Sequence, residues 1–190
     1  MSAANPVIVV GAGPVGLCLA LALAQQDISV TVIETMSDEN FLDQVPRAGS
    51  NHPTTLEFFD RIGLYEKMEP RGLIAPKFHY WDRQDNELIA EFDHALLKND
   101  TKFPYVLQCE RIKIIEEALK MAKVHPRVTV RMSTTFTSLE QTADAVLVHV
   151  ENTEGKPEII RGSYLVSAED RKSTRLNSSH IPLSRMPSSA

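Results

Sequence analysis

The chain has 190 residues, 43% hydrophobic and 24% charged, with a formal net charge of -5. That is one domain with a sizeable core or a piece of something larger, and the composition excludes disordered, collagen-like and disulfide-scaffold classes. The acidic balance argues against nucleic acid as the main partner. Cys18 and Cys109 are too few for a disulfide framework, and Cys18 in an apolar run predicts a buried thiol and a reducing, cytoplasmic compartment.

Residues 6–24 carry no charge, which raises the question of a membrane span or signal peptide. Both are rejected. The first Lys or Arg is Arg47, so no cationic flank exists, and Gly11, Gly13, Pro14 and Gly16 interrupt the run. A strand, a turn and a helix explain the same residues. Residues 6–10 are β-branched and bounded by glycine, predicting a fully buried strand. Pro14 suits the first turn of a helix that stays apolar almost all round to Ala24. A second buried strand covers 28–33 and closes on Glu34. Together these form one βαβ unit.

Residues 36–51 are polar and aperiodic, a loop. The spacing predicts a helix over 54–67 packed through Leu56, Phe59, Ile62 and Leu64. Strands follow at 77–82 and 87–92 around the turn-like Arg83-Gln84-Asp85-Asn86. An amphipathic helix over 108–123 presents Ile112, Ile115, Leu119 and Ala122 on one face. The Lys113/Glu117 and Glu116/Lys120 pairs brace the other. Strands at 128–132, 136–140, 145–151 and 158–161 read as a β-meander with a turn at 153–156, and 164–168 is a last apolar strand.

The strongest motif is Gly11-Ala12-Gly13-Pro14-Val15-Gly16, a G-x-G-x-x-G directly after a strand and opening a helix. Gly11 permits the tight turn, Gly13 lets the backbone approach a pyrophosphate, and Gly16 lets helix and strand pack closely. The helix N-terminus offers unpaired N–H groups and a positive dipole end to phosphates. Glu34 ends the next strand 18 residues after Gly16, where a carboxylate can accept ribose hydroxyls. The motif is a dinucleotide site and does not choose between FAD and NAD. His52 and His79 have no metal-ligand spacing, and no metal site is expected.

Four stretches together resemble the FAD-dependent aromatic-ring monooxygenases, the para-hydroxybenzoate hydroxylase-like group, nearest to phenolic-acid hydroxylases such as 3-(3-hydroxyphenyl)propionate hydroxylase. They are 7–17 (VIVVGAGPVGL), 45–48 (VPRA), 52–64 (HPTTLEFFDRIGL) and 106–111 (VLQCER). The resemblance implies an α/β fold: a Rossmann-like FAD-binding domain with a β-meander and the start of a substrate-side β-sheet, truncated. It divides the chain into a βαβ unit with its following helix (1–72), a strand excursion toward the substrate domain (73–107), and the helix, meander and final strand of the FAD domain (108–169). Arg47 matches an arginine that approaches the flavin dinucleotide, and a guanidinium there can neutralise pyrophosphate or bind the ribityl side. Gln108 matches a glutamine at a helix start that hydrogen-bonds the ribityl region. With the glycine turn and Glu34, these are the expected cofactor-binding residues. The implied partners are a small aromatic substrate and oxygen, with NAD(P)H as co-substrate; no nucleic acid or membrane span is expected. The flavin carries the chemistry, so no catalytic side chain is assigned within this chain.

The final segment is foreign to the rest. Residues 170–190 hold four Lys/Arg against one acid and six serines, leaving -8 on residues 1–169. The family continues after Ala168 with Asp-Gly; this chain reads Glu169-Asp170-Arg171-Lys172. One back-translation of residues 170–180 and 184–190 matches the two constant segments of a short-read sequencing adapter, read in frame; the alternative is a genuine basic, serine-rich tail or interaction segment. The 170–190 segment is therefore expected to be non-native, with Glu169 standing where the family has aspartate. Codons incompatible with the adapter would sink that reading. A chain ending there is expected to be inactive by itself and to bind FAD weakly or not at all. Two alternatives share the glycine turn: another FAD oxidoreductase, such as a dehydrogenase or halogenase, and a small NAD-binding module.

Overall fold

The computed structural model describes residues 5–42 and 49–169. Its centre is a four-stranded parallel sheet. Strand β1 (Val7–Val10) leads through helix α1 (Pro14–Ala24) to β2 (Val30–Ile33), and the two strands pair in register from Val7 with Val30 to Val10 with Ile33. The β-branched run and the proline at the first helical position produce the βαβ unit expected of them.

The chain then leaves the sheet. A short helix α2 (Asp38–Phe41) and strand β3 (Ser50–Asn51) lie within the stretch expected to be loop. The helix expected over 54–67 is two helices, α3 (Pro53–Arg61) and α4 (Tyr65–Met68). Gly63 N–H bonds to the Asp60 carbonyl at 3.0 Å and Leu64 N–H to that of Phe59 at 2.8 Å, closing α3 in a Schellman-type terminus that apolar periodicity does not reveal. The expected packing residues Leu56, Phe59, Ile62 and Leu64 are all buried. Next come β4 (Leu73–Ala75), the hairpin β5 (Lys77–Trp81) and β6 (Leu88–Asp93), and β7 (Val106–Gln108), which pairs antiparallel with both β3 and β4.

Helix α5 (Arg111–Val124) starts three residues later than expected, because Gln108 is the last residue of β7. Ile115, Leu119 and Ala122 are buried as predicted; Ile114 and Ala118 are buried beside them, and Ile112 packs at the edge. Glu116 pairs with Lys120 at 2.7 Å as expected, while Lys113 pairs with Glu110 at 3.4 Å. Glu117 turns to Arg71, which forks across Glu116 (2.7 Å) and Glu117.

One assignment changes layer. Strand β8 (Val128–Arg131), expected as the first meander strand, pairs parallel with β2, and β12 (Tyr164–Ser167) pairs parallel with β1, giving the order β12-β1-β2-β8. Following a helix, β8 returns to the sheet through an α crossover, as parallel pairing requires. The meander is therefore three strands, β9 (Thr135–Gln141), β10 (Val146–Glu151) and β11 (Pro157–Gly162).

Alternation along β1 and β2 builds two cores. Val7, Val9, Val30 and Val32 face the helix layer of α1 and α5, whereas Ile8, Val10 and Ile33 pack with Phe136, Val148 and Val150 of the meander. Each such side chain contributes about 1.5–3 kcal/mol of burial, so closure of both faces explains why these strands have no polar face. Arg131 of β8 fixes the meander to the sheet with two bonds to Glu158, at 2.7 and 2.6 Å. Cys18 lies in the helix-side core, free and buried, its thiol pushed up to about 12 by desolvation.

Candidate functional site

The site forms where β1 ends and α1 begins, at the carboxyl edge of the parallel sheet. Gly11 leaves the strand at φ +101°, with its N–H bonded to the Ile33 carbonyl at 2.8 Å. Gly16 is required by contact: an added Cβ would lie 2.0 Å from the Gly11 oxygen and 3.2 Å from Val9 Cγ1. Gly13 is the opposite case. Nothing lies within 4 Å of where its Cβ would stand, so its open side is a space for something else. Gly13 is also the N-cap of α1; no side chain caps that terminus and no acid occupies its first turn. The first-turn donors and the positive end of the helix dipole remain available to an anion.

Glu34 closes the other side. One carboxylate oxygen accepts the Ala12 N–H at 2.9 Å and the other accepts the Met36 N–H at 3.0 Å, so the side chain ties the glycine turn to the segment after β2. Each oxygen has a further lone pair free to accept a hydroxyl. A cleft of about 490 Å³ opens over these groups, lined by Gly11, Gly13, Pro14, Val15, Glu34 and, across from them, Arg111. Ala12 and Gly16 stand behind this surface and shape it. Thr134, Ala168 and Glu169 complete the rim.

Not every expected site residue joins this group. Gln108 lines a second cleft of about 530 Å³, with Ser50, His52, Lys77, Tyr80 and His94 among its walls, and its Oε1 accepts the Ser50 hydroxyl at 2.9 Å. Arg47 and the 170–190 segment lie outside the described residues. Arg111 was not anticipated as a site residue. Its type and its place three positions after Gln108 are visible in the sequence, but only the approach of α5 to α1 puts it on the first cleft. Among the described residues no cluster of three or more His, Cys, Asp or Glu side chains could hold a metal, and no helix is long and apolar enough to cross a membrane.

An open parallel sheet whose first turn exposes helix N–H groups beside a strand-end carboxylate defines the dinucleotide-binding class of α/β proteins. The cleft's open glycine, uncapped helix and acceptor carboxylate suit the phosphates and ribose of an ADP moiety, which FAD contains. Residues 4–186 match the family described as FAD binding domain, and the chain belongs to that family. It is 31% identical over 175 residues to para-nitrophenol 4-monooxygenase of Pseudomonas sp. (strain WBC-3), an alignment spanning 92% of this chain and 42% of that protein. It is 29% identical over 169 residues to the 3-(3-hydroxy-phenyl)propionate/3-hydroxycinnamic acid hydroxylase of Mycobacterium sp. (strain JLS), spanning 88% and 28%. The crystal structure of p-nitrophenol 4-monooxygenase PnpA from Pseudomonas putida DLL-E4 superposes with a TM-score of 0.81 at 30% identity, covering 90% of this chain and 42% of that one. The chain thus spans less than half the length of these relatives.

Proposed function

We propose that the whole protein carrying this chain is an FAD-dependent monooxygenase that hydroxylates a small phenolic or related aromatic substrate, using NAD(P)H and oxygen. The observation that carries the reading is the glycine turn bonded to Glu34 beneath an open cleft, in a chain of the FAD binding domain family. The names of the relatives supply the aromatic substrate class. Both cysteines are free and buried, which fits the cytoplasm as a reducing compartment.

In this reading the first-turn N–H groups of α1 hold the pyrophosphate, with Gly13 allowing its close approach and Gly11 and Gly16 fixing the turn that aims them. Glu34 accepts the hydroxyls of the adenosine ribose, and its two bonds to backbone N–H groups hold its oxygens in place before the ligand arrives. Gln108, oriented by Ser50, lines the neighbouring cleft and serves the ribityl region from there. When bound, the flavin supplies hydride acceptance from NAD(P)H and the activation of oxygen. The residues described here bind and orient; none moves a proton.

The test uses the full-length protein. It is expected to purify with flavin or to take up FAD in preference to NAD, and to consume NAD(P)H and oxygen faster when a nitrophenol or hydroxyphenylpropionate is added, with release of a hydroxylated product. Preference for NAD over FAD, or turnover without oxygen uptake, would overturn the proposal.

A further inference from the structure

The second cleft is built differently from the first. One wall is the sheet of β3, β7 and β4, where the Ser50 hydroxyl is already bonded to Gln108 at 2.9 Å. The other is the hairpin, whose Phe78 and Phe92 stand opposite one another in register and meet Tyr80 edge-on, their ring centroids 4.9 and 5.9 Å from it. No carboxylate occurs among the described residues that line this space, and its basic side chains are His52, Lys77 and His94. The Lys77 ammonium is held by Glu91 at 2.8 Å, and the exposed His52 ring has no bond to fix it among the described residues. His94, directly after β6, is half-buried and fixed twice over. Its backbone N–H and its ring Nδ1 both reach the Pro76 carbonyl, at 3.0 and 3.2 Å, and Asp93 holds the turn by accepting the Ala95 N–H at 2.8 Å.

A carbonyl oxygen only accepts, so the proton of the neutral His94 ring sits on Nδ1 and Nε2 is a bare acceptor. Nε2 has no partner among the described residues. A wall of aromatic rings suits a planar apolar ring by stacked or edge-to-face packing, and one fixed acceptor beside it suits one hydroxyl on that ring. We propose that His94 is a specificity-determining residue of the second cleft, its Nε2 accepting the hydrogen bond of a phenolic hydroxyl while the ring that carries it packs against Phe78, Tyr80 and Phe92. The same ring without its hydroxyl leaves Nε2 desolvated and unpaired, which is what selects against it. The inference rests on the monooxygenase reading above and assigns a residue that neither the glycine motif nor the family resemblance includes.

Paired ligands titrated calorimetrically into the full-length, FAD-loaded protein test it, without NAD(P)H so that nothing turns over. The pairs are 3-(3-hydroxyphenyl)propionate with 3-phenylpropionate, and 4-nitrophenol, kept protonated in mildly acidic buffer, with nitrobenzene. In at least one pair the unaltered protein is expected to bind the hydroxylated member about 10-fold more tightly, the range for one hydrogen bond inside a cleft. His94→Asn keeps an amide N–H where Nδ1 stands, able to bond the Pro76 carbonyl, but has nothing at Nε2. It should bring the two members of the pair to equal affinity by weakening the hydroxylated one alone, at an unchanged melting temperature. A preference that survives in His94→Asn overturns the assignment, as does a parallel loss of both members or the absence of any preference in the unaltered protein. Should His94→Asn fold poorly, His94→Phe, a ring of similar size with no acceptor, decides: preference lost supports the assignment and preference kept overturns it. Retained FAD with no binding of any of these ligands overturns the aromatic-substrate reading together with the assignment, and failure to load FAD overturns the flavin reading itself.

Discussion

Strands β1 and β2 and the hairpin β5–β6 are both rich in large apolar residues, yet every residue of the first pair is buried and every residue of β5 is exposed. Ile8 is fully enclosed, whereas Trp81 and Ile89 remain 54% and 67% exposed. The difference lies in partners. β1 and β2 have strands on both edges, helices over one face and the meander over the other. The hairpin has only its own two strands, and its aromatic rings pack on one another, with Phe78 at 4.9 Å and Phe92 at 5.9 Å from Tyr80. Hydrophobicity sets what a segment can bury, and the neighbouring layers set what it does bury. The same contrast separates the glycine turn, locked by the layers around it, from the second cleft, whose outer wall is the hairpin.

The largest expected effect tests the lock. Gly16→Ala forces a Cβ to within 2.0 Å of a backbone oxygen that cannot move without unpacking β1, and should cost about 3 kcal/mol or more, read as a large drop in melting temperature. Gly13→Ala meets no atom, so it should leave melting nearly unchanged while weakening FAD binding. Equal melting losses in the two variants would break the distinction between a packing glycine and a ligand-facing one. Next in size, Ile8→Ala should lose about 2–5 kcal/mol in urea unfolding, against less than about 1 kcal/mol for Trp81→Ala. Comparable losses would show that the hairpin is a structural part of the core.

Glu34→Gln comes third. One acceptor oxygen remains, but the amide turns an N–H₂ toward a backbone N–H, so about 1–2 kcal/mol of stability and roughly tenfold in FAD affinity should be lost. Melting and FAD titration of the variant check it. The smallest effect belongs to the hairpin. Glu91 is held below the usual carboxylate range by hydrogen bonds from Lys77 and then His79. A lowered folded value means that any stabilisation is present above the unfolded-state pKa and lost as pH falls through the folded one. Because Glu91 is solvated, Glu91→Gln should leave the acid limb of global unfolding where it was, while an NMR titration of the carboxyl shows its low midpoint.

The βαβ unit was legible because each of its signals is local. The β-branched run, the three glycines, Pro14 and the terminal Glu34 state their conformations one by one, and the bond from Ala12 to Glu34 joins the two ends that the spacing pairs. The hairpin was legible as well, with its turn fixed by Asp82, which accepts the Gln84 and Asp85 N–H groups at 2.7 and 3.2 Å. Three features were not. The stop at Gly63 needs backbone bonds rather than apolar spacing. The membership of β8 in the parallel sheet depends on which edge α5 delivers it to. Arg111 is one of many surface-type arginines until α5 lies beside α1.

Composition and motif therefore determined the class of fold, the glycine turn and its acidic partner, because steric needs at glycine and the alternation of buried residues act over a few positions. Tertiary structure alone decided which strands became neighbours, which of two similar apolar segments was covered, and that residues 13, 34 and 111 face one cleft. Contacts across dozens of residues depend on how whole layers pack, and no short window of sequence carries that information.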